Sequence, residues 1–461
     1  MSRCRTRAHS RLLALVPLLL LASPPAFAEA AVDEQSTIEE IEEKIRILAE
    51  EIADLKSEEA VPDDVSSSDG FSGLGPAASK VYRRDKGLSI GGYGDVRFRH
   101  YTKNKDGRQD IFDALRFVLY TGYKFNDWLV MNSEVEFEHG STSNSGSASV
   151  EFLTLDFLLD DAFNLRGGLV LIPMGFLNEV HEPPFYFGAE RPEVERRILP
   201  STWRENGAGI FGTFDLGGAG DIHYRTFAVN GFDATGFSAS GLRGGRQKGS
   251  EALADHWAFV GRVDYEMGDA LPGLMFGGSV YAGKSGQNQE NGVCINFCDD
   301  PAPGDPILQP ETETRSVPDS FVHIYELHAQ YKGHGLSLRG LFAHAFVDDA
   351  GDLSRALDLG TTSSVAKEMI GGYAEIGYDV MPLIVENEMS LEPFFRYEYL
   401  DTQHDVAGGF RKDQSRDYDL FVYGVSYKPI PQVVVKVDYR DFRAKRGSLR
   451  DEVQASIGFV F

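Results

Sequence analysis

The chain ends with the stretch Arg450-Asp-Glu-Val-Gln-Ala-Ser-Ile-Gly-Phe-Val-Phe461. From Val453 onward, apolar residues at odd positions alternate with smaller or more polar residues at even positions. A period of two places the two sets on opposite faces of a β-strand. An exposed apolar edge strand invites aggregation in water, whereas a barrel closed within lipid has no edge and needs an apolar outer face. The stretch therefore predicts the last strand of a transmembrane antiparallel β-barrel.

The same alternation recurs upstream, from Gly87 to the end of the chain. One unit sets Leu129, Met131, Val135 and Phe137 against Asn132, Glu134, Glu136 and Glu138. One face of this unit suits hydrocarbon and the other suits water, as the strands of a transmembrane barrel require. About sixteen such units can be counted, an even number that is usual for single-chain bacterial barrels. We therefore expect residues 87–461 to form an all-β outer-membrane β-barrel of about sixteen strands.

The connections between the units alternate in length. Short ones fall near residues 124–127, 160–164, 217–220, 332–335 and 428–431, and long ones near 173–205, 230–256, 284–318, 347–368 and 401–417. Bacterial outer-membrane barrels have short periplasmic turns and long extracellular loops. With an even number of strands, both ends of the barrel lie on the side of the short turns. The pattern predicts a location in the bacterial cell outer membrane, with the segment before the barrel in the periplasm.

Residues 1–28 have the features of a secretory signal peptide. The basic residues Arg3, Arg5, Arg7 and Arg11 precede an apolar core at 12–22, and Ala26-Phe27-Ala28 fits the small-x-small cleavage pattern. The apolar core is too short for a confident transmembrane helix. No later segment approaches the roughly 18 continuous apolar residues of a membrane helix. A membrane protein with this sequence would therefore cross the bilayer as a barrel.

A heptad pattern within residues 33–60 predicts a periplasmic coiled-coil helix. Its apolar positions are Ile38, Ile41, Ile45, Leu48, Ile52 and Leu55, and charged residues fill most of the other positions. The alternative is a single amphipathic helix that lies on its own domain. Ile at the a positions with mostly Leu at d favours dimers. Residues 61–86, which are rich in Ser, Asp, Gly and Pro, are expected to form a flexible linker.

Composition and cysteine content restrict the remaining functions. The net charge of −25 argues against nucleic-acid binding, which requires a basic surface. Cys294 and Cys298 lie in a segment rich in Gly, Pro and Asp. In an oxidising compartment they favour a small loop disulfide, whereas a metal site would need more ligands nearby. We expect no cofactor and no bound metal.

Charged residues on the predicted inner face are candidates for the lining of a pore. They include Arg97, Arg99, Arg116, Glu134 and Glu136. Opposed basic and acidic walls orient polar solutes, and rings of one sign select ions. The alternative is that these charges only face water in the lumen and pair with one another.

The long connection at 173–205 is the candidate for a constriction. Its prolines stiffen it, and its aromatic residues are too apolar for a loop that moves freely in solvent. We expect it to fold against the lumen wall and to present arginines to anionic solutes. These arginines are Arg191, Arg196, Arg197 and Arg204. The alternative is that they pair with neighbouring carboxylates, namely Glu182, Glu190, Glu193 and Glu195.

Three stretches resemble the phosphate-selective porin O and P family. They are Gly87-Leu-Ser-Ile-Gly-Gly-Tyr-Gly-Asp-Val-Arg-Phe-Arg99, Ser133-Glu-Val-Glu-Phe-Glu-His139 and the closing Phe461. The resemblance covers about residues 80–461. It implies a trimeric porin with a basic constriction, set in outer-membrane lipid and lipopolysaccharide. The terminal Phe also looks like the signal that bacterial outer-membrane barrels present to the barrel-assembly machinery. We expect a homotrimer.

The sequence thus predicts a porin for passive diffusion of small hydrophilic solutes, with anions as the favoured candidates. The alternative is a structural or adhesive outer-membrane barrel with a plugged lumen and partner-binding loops. An enzyme is not expected. His181-Glu182-Pro183-Pro184 begins like a zinc-binding HExxH motif, but the second His is missing and the prolines preclude the required helix.

Overall fold

The computed structural model describes residues 43–47 and 70–461, apart from residues 104, 106, 144, 297–310 and 386. The chain divides into two compact units, Met1–Glu59 and Ala60–Phe461. In the first unit, residues 43–47 are helical and exposed, within the helix predicted over 33–60. The signal peptide, the remainder of that helix and its coiled-coil pairing lie outside the described residues.

The described part of the second unit consists mainly of β-strands. They are β1 (Gly87–Tyr101), β2 (Ile111–Asn126), β3 (Leu129–Glu138), β4 (Ser147–Asp160), β5 (Phe163–Leu171), β6 (Arg204–Asp215), β7 (Gly220–Asn230), β8 (Trp257–Met267), β9 (Leu274–Lys284), β10 (Glu290–Asn296), β11 (Glu311–Ser316), β12 (Phe321–Gly333), β13 (Leu336–Val347), β14 (Ala366–Tyr378), β15 (Ser390–Val406), β16 (Asp417–Ile430), β17 (Val433–Ala444) and β18 (Glu452–Val460). The short helices are α1 (Lys80–Arg83), α2 (Glu193–Arg197) and α3 (Ala350–Ala356). Within the described ranges, no helix has the length and apolar character needed to cross a membrane.

Sixteen of the strands close into an antiparallel barrel, and β10 and β11 form a separate hairpin. Each barrel strand pairs with its neighbour along the chain, except that β9 pairs with β12 across the hairpin. The barrel closes between β1 and β18, from Tyr93 opposite Val460 to Tyr101 opposite Glu452. This closure confirms the predicted all-β barrel and the role of the C-terminal stretch as its last strand.

The predicted disulfide lies in the region of the separate hairpin. Cys294 belongs to β10, and Cys298 lies outside the described residues. The disulfide therefore remains a prediction.

The outer and inner faces of the barrel reverse the polarity of a soluble protein. On β17, the outward Val435, Val437 and Tyr439 are 36, 50 and 36% exposed, whereas the inward Lys436, Asp438 and Arg440 are only 1, 3 and 2% exposed. Soluble proteins bury the first kind of residue and expose the second. An apolar exterior around a charged interior is the arrangement that a barrel in hydrocarbon requires.

The connections give the barrel two distinct ends. At the short-turn end, only residues 127–128 separate β2 from β3, and residues 431–432 separate β16 from β17. At the long-loop end, residues 172–203 join β5 to β6. The barrel begins and finishes at the short-turn end, where the Phe461 amide donates to the Gly92 carbonyl at 2.9 Å. The alternation of loop lengths predicted this placement.

Two long connections enter the barrel and build an apolar core inside it. They are residues 172–203, called the inner loop below, and residues 231–256. The buried Trp203 stacks on Phe232 with ring centroids 4.5 Å apart, and Tyr281 lies 4.9 Å away. Inward side chains of β7 to β9 and β12 to β14 join this core. Much of the lumen is therefore filled by the chain itself.

Residues 70–86, called the N-terminal segment below, lie at the short-turn end of the barrel, and residues 71–82 pack inside it. Leu74, Ala77, Ala78 and Val81 are buried there, packed with inward side chains of β1, β2 and β4. The sequence predicted a flexible linker over 61–86, but residues 71–82 pack against the inner wall instead. Small residues that favour flexibility in solvent here allow close packing against the wall, because they occupy little volume.

Candidate functional site

The inner loop crosses the lumen and is fixed to strands that lie far apart around the barrel. Ala189 donates its amide to Asp438 Oδ2 on β17 at 2.7 Å. Arg262 on β8 donates from Nη1 to the carbonyl of Gly175. Strands β8 and β17 are separated by six other strands along the shorter path around the closed sheet and by eight along the longer path. The loop therefore spans the interior instead of lining one wall.

Glycines on the wall make room for bulky residues of the inner loop. A Cβ at Gly377 on β14 would come within 2.3 Å of the Phe187 ring. A Cβ at Gly458 on β18 would come within 2.3 Å of Pro183 Cβ. Contacts that short do not occur between real side chains, so both positions need a residue without a side chain. The loop and the wall are thus fitted to each other.

Glu190 of the inner loop gathers three arginines. Its Oε2 accepts from Arg97 Nη1 at 2.6 Å and from Arg99 Nη2 at 2.9 Å. Its Oε1 lies 3.4 Å from Arg196 Nη1. Burial opposes ionisation of this carboxyl, but the guanidinium groups outweigh it and hold the pKa of Glu190 well below its usual range. One carboxylate therefore serves three cations, and positive charge remains in excess.

Glu193, in α2, repeats this arrangement. Its carboxylate lies 2.8 Å from Arg440 Nη2, 3.0 Å from Arg197 Nε and 3.6 Å from Arg196 Nη1. Burial again opposes ionisation, yet the surrounding arginines lower the pKa of Glu193. Glu190 and Glu193 share Arg196, so the two groups form one loop–wall cluster.

A cavity of about 470 Å³ opens above this cluster at the long-loop end. Seven arginines line it against two glutamates; they are Arg99, Arg108, Arg196, Arg197, Arg416, Arg440 and Arg450, with Glu193 and Glu452. This long-loop cavity is strongly basic although the whole chain carries a net charge of −25. Guanidinium groups bind carboxylate and phosphate through paired hydrogen bonds. The cavity has the chemistry of an anion site.

A second charged cluster lies on β2 to β4 and at the start of β6, beside the inner loop. Arg116 Nη1 is 3.3 Å from Glu136 Oε1, and Arg204 Nη1 is 2.5 Å from Glu151 Oε1. Arg191 of the inner loop is buried, and its Nε and Nη2 have no hydrogen-bond partner among the described residues. Buried polar atoms of this kind suit contact with water or a polar solute, because leaving them unpaired is costly.

Two neighbouring residues of the inner loop bind other parts of the interior. Glu182 Oε1 accepts the amides of Ala77 and Ala78 in the N-terminal segment at 3.2 and 3.4 Å. Burial raises the pKa of Glu182 to about 8, against the effect of those two amides. His181 Nε2 lies 3.1 Å from Glu134 Oε1. Burial lowers the pKa of His181 to about 3, so the ring is neutral at physiological pH.

The short-turn end holds two adjoining cavities of about 240 and 330 Å³. Both are lined by Phe185, Lys332 and Arg339, and neither shares a lining residue with the long-loop cavity. Arg396 on β15 lies between the short-turn cavities and the long-loop cavity. It bonds to two carboxylates, at 2.8 Å to Glu398 and 3.0 Å to Glu375, and to the carbonyls of Phe187 and Glu190 at 3.2 Å each.

The residues predicted to line the pore fall into two clusters instead of one. Arg97, Arg99, Arg196 and Arg197 join the loop–wall cluster, whereas Arg116, Glu134, Glu136, Arg191 and Arg204 join the second cluster. The alternative pairing with loop carboxylates holds for Glu190 and Glu193. It does not hold for Glu182, described above, or for Glu195, which accepts the Tyr373 hydroxyl at 2.7 Å.

Sequence reasoning missed several residues that complete the site. Arg440 and Arg396 lie on the inward face of their strands, and the alternation along β17 could have identified the first. Arg416 and Arg450 lie outside the strands that line the cavity, so alternation gives no signal for them. Only the folded positions of the loops bring them to the cavity.

Comparison with solved structures gives the fold of the barrel and little more. No family model matches the chain. OmpF of Salmonella typhi, solved with daunomycin, is 12% identical, with 82% of this chain and 98% of that chain covered and a TM-score of 0.50. An anion-selective porin from Comamonas acidovorans is 10% identical, with 82 and 100% covered and a TM-score of 0.46. The likeness to OmpF agrees with the closed barrel, and the resemblance to the phosphate-selective porin O and P family stays a prediction.

Sequence comparison identifies a closer relationship. A protein of Aquifex aeolicus strain VF5, described as uncharacterized, is 36% identical over 405 residues. The alignment covers 85% of this chain and 84% of that protein. The two sequences thus match over most of their lengths and not over a short motif. The chain belongs to the same family as this Aquifex aeolicus protein.

Proposed function

We propose that the protein is an outer-membrane porin through which small hydrophilic anions diffuse passively. The observation that carries this proposal is the long-loop cavity, where seven arginines face two glutamates. In a chain with 70 acidic and 45 basic residues, such a local excess of arginine is not expected from composition. A cavity of one sign concentrates ions of the opposite sign and excludes ions of the same sign.

The location in the outer membrane rests on the two faces and two ends of the barrel. The apolar outer face, seen on β17, suits hydrocarbon, and the short turns and long loops segregate as in bacterial outer-membrane barrels. The short-turn end then faces the periplasm and the long-loop cavity faces outward. The signal peptide predicted at residues 1–28 agrees with export.

The inner loop is the element that narrows the path. It carries Glu190 and Glu193, which sit between arginines of the wall, and Arg396 ties its backbone to β15. An anion that passes the loop would replace Glu190 or Glu193 as the partner of an arginine. Such an exchange needs no net loss of ion pairing, which favours anions over cations.

Reversal potentials in planar bilayers under a KCl gradient test the proposal. The purified protein should give stepwise currents that favour chloride over potassium. Arg196→Ala/Arg197→Ala should lower this preference by roughly fivefold, the change that about 1 kcal/mol of lost attraction produces. Arg443→Ala is the matched control, because Arg443 is exposed and pairs with Asp441 away from the cavity. Cation preference in the unchanged protein, or no effect of the double variant, would contradict the proposal.

The apolar core inside the barrel favours a second candidate, a structural or adhesive barrel with a plugged lumen. The inner loop and residues 231–256 fill much of the space between β6 and β14. The same bilayer measurement separates the two candidates. A plugged barrel would give no stepwise current at any applied potential, whereas its loops would still bind a partner.

We further propose that the protein forms a homotrimer in outer-membrane lipid and lipopolysaccharide. We also propose that the barrel-assembly machinery recognises Phe461 when the barrel is inserted into the membrane. The heptad pattern of residues 38–55 supports self-association. Native mass measurement in detergent tests the trimer. Phe461→Ala should reduce the amount of folded barrel in the membrane, measured by heat-modifiable migration on gels, and an unchanged amount would contradict the role of Phe461.

A further inference from the structure

The N-terminal segment occupies part of the short-turn mouth. Residues 70–86 pack along the inner wall, where a Cβ at Gly122 on β2 would come within 2.5 Å of Val81 Cβ. Further along, the Phe71 ring lies 6.0 Å from the Phe211 ring on β6. The segment therefore covers the wall from β2 to β6, and its first residues, Gly70, Ser72 and Gly73, form part of the lining of one short-turn cavity.

The segment is attached to the wall by side chains and not by the sheet. Asn132 on β3 donates from Nδ2 to the Ala78 carbonyl at 2.8 Å, and the Tyr82 hydroxyl donates to Asp156 on β4 at 2.8 Å. Among the described residues, the backbone–backbone hydrogen bonds of residues 71–82 stay within the segment. It can therefore leave the wall without opening any strand pair of the barrel.

Glu182 joins the segment to the inner loop. Its carboxylate accepts the amides of Ala77 and Ala78 and is fully buried. A Cβ at Gly75 would come within 2.5 Å of Glu182 Oε1, so the segment also packs directly against this side chain. The contact links the mouth of the barrel to the element that divides the lumen.

A charged compartment lies directly behind the segment. Asn132 touches the segment, and the next inward positions on β3 are Glu134 and Glu136, toward the long-loop end. These two residues belong to the second cluster with Arg116 and Arg191. Residues 70–79 themselves contain no charged side chain. The uncharged part of the segment, residues 70–79, thus covers a charged interior at the point where that interior would meet the solvent.

We propose that the N-terminal segment is a displaceable plug that closes a second, charged path along β1 to β4, and that Glu182 is the positioning residue that holds it in place. The inference rests on the proposed function, because a plug can regulate only a barrel that conducts. Displacement would join the second cluster to the short-turn cavities, since Gly70 and Gly73 form part of the lining of one of them.

Reagent accessibility of a buried position in the segment tests the plug independently of conductance. Ser79 is buried, and among the described residues its hydroxyl bonds within the segment, to the Leu74 carbonyl and the Phe71 amide, so Ser79→Cys is a mild change. The variant is made with Cys294→Ser and Cys298→Ser, in the full mature chain in liposomes, and is labelled with a charged methanethiosulfonate. Conductance of the same preparations is recorded in planar bilayers.

Glu182→Ala should raise the labelling rate on the order of tenfold or more, because local opening controls access to a buried thiol. Conductance should rise in parallel. Glu182→Gln keeps an oxygen acceptor for both amides and should restore slow labelling. Glu195→Ala is the matched control, since Glu195 is a buried carboxylate of the same loop that bonds to Tyr373 and not to the segment. Heat-modifiable migration on gels reports whether each barrel is folded.

The outcomes separate the two proposals. Faster labelling together with higher conductance supports the plug. Unchanged labelling in folded barrels of both Glu182→Ala and a second variant, Gly122→Ala, overturns the plug proposal. Faster labelling with unchanged conductance in a conducting barrel also overturns it, and leaves the porin proposal standing. Faster labelling in Glu182→Ala, with no current in this variant or in the protein that keeps Glu182, overturns the porin proposal. It also overturns the proposal that the plug regulates conduction.

Discussion

Arg97 and Glu190 form an ion pair of 2.6 Å that joins the first strand of the barrel to the inner loop. The same carboxylate lies 2.9 Å from Arg99 and 3.4 Å from Arg196. A carboxylate shared in this way neutralises part of three cations at once. Its removal should therefore change the charge of the narrow region more than the loss of an exposed carboxylate would.

Under the proposed function, Glu190→Gln should strengthen the preference of the channel for anions. The amide keeps the shape of the side chain but leaves three guanidinium groups with one fewer counter-charge. Reversal potentials under a KCl gradient should shift further toward the chloride equilibrium potential, by an amount that decreases at high salt. Glu313→Gln, at an exposed position on β11, is the control. A shift toward potassium would contradict the expected sign.

Arg396→Met should destabilise the barrel by about 3–5 kcal/mol, because it leaves the buried carboxylates of Glu375 and Glu398 without their cation. The inner loop also loses the bonds from Arg396 to two of its carbonyls. Guanidinium unfolding in detergent, followed by tryptophan fluorescence, measures the loss. Arg443→Met, at an exposed position, should have little effect. Equal stability of the two variants would show that the buried pairs contribute nothing.

Trp203→Ala should cost about 3–5 kcal/mol, the usual loss when a large buried aromatic side chain is removed. Trp203 is fully buried between Phe232 and Tyr281, in the core that lies inside the barrel. The same unfolding measurement applies. Trp257→Ala is the control, because Trp257 is exposed on the outer face. A smaller loss at Trp203 than at Trp257 would mean that the internal core does not support the barrel.

Attachment of the plug should weaken as the pH rises. Burial raises the pKa of Glu182 from its ordinary value of 4.5 to about 8, so docking favours the protonated carboxyl. The resulting stabilisation is complete below pH 4.5, decreases between pH 4.5 and 8 and is absent above that range. The groups that face Glu182 are Glu134 and Tyr120 on the wall and His181 beside it. Labelling of Ser79→Cys should accelerate from pH 5 to pH 9.

Glu182→Gln cannot ionise and should flatten this pH dependence. The reactivity of the thiol itself increases with pH, so rates are divided by those of the same Cys in unfolded protein. A corrected rate that still rises with pH in the Gln variant would assign the effect to another group.

Gly122→Ala should displace the plug by disrupting its contact with the barrel wall. The new methyl group would meet Val81 at 2.5 Å, closer than the two atoms can approach. Gly340→Ala is a matched change on another strand, where the nearest atom would be 3.7 Å away. Labelling of Ser79→Cys should be faster in the first variant alone. Equal rates in folded barrels, together with unchanged labelling in Glu182→Ala, would contradict the plug.

The strands and their faces were predictable because a β-strand has a period of two that does not depend on the rest of the chain. Thus Glu134 and Glu136 were assigned to the inner face from β3 alone, and both are buried there. The same alternation assigns Arg440 to the inner face of β17, although it was not among the predicted pore-lining residues. What alternation cannot give is the partner across the lumen, because that depends on how long loops fold.

The N-terminal segment shows where composition misleads. Glycine, alanine and serine favour disorder when nothing covers them, and the chain from 61 to 86 was interpreted in that way. The barrel supplies a surface with matching gaps, such as Gly122 opposite Val81, and the small residues become packing residues. A local sequence gives no information about a surface formed by residues that lie 41 positions away, as Gly122 does from Val81, or 140 positions away, as Phe211 does from Phe71.

The amino-acid sequence by itself determined the order and polarity of the strands, the apolar outer face and the difference between the two ends of the barrel. Each of these follows from local alternation and turn chemistry. Tertiary structure decided which charges meet, namely that Glu190 and Glu193 collect arginines from several strands while Glu182 binds the backbone of residues before the barrel. The physical reason is that electrostatic partners are chosen by distance in space, and only closure of the barrel and folding of its loops fix those distances.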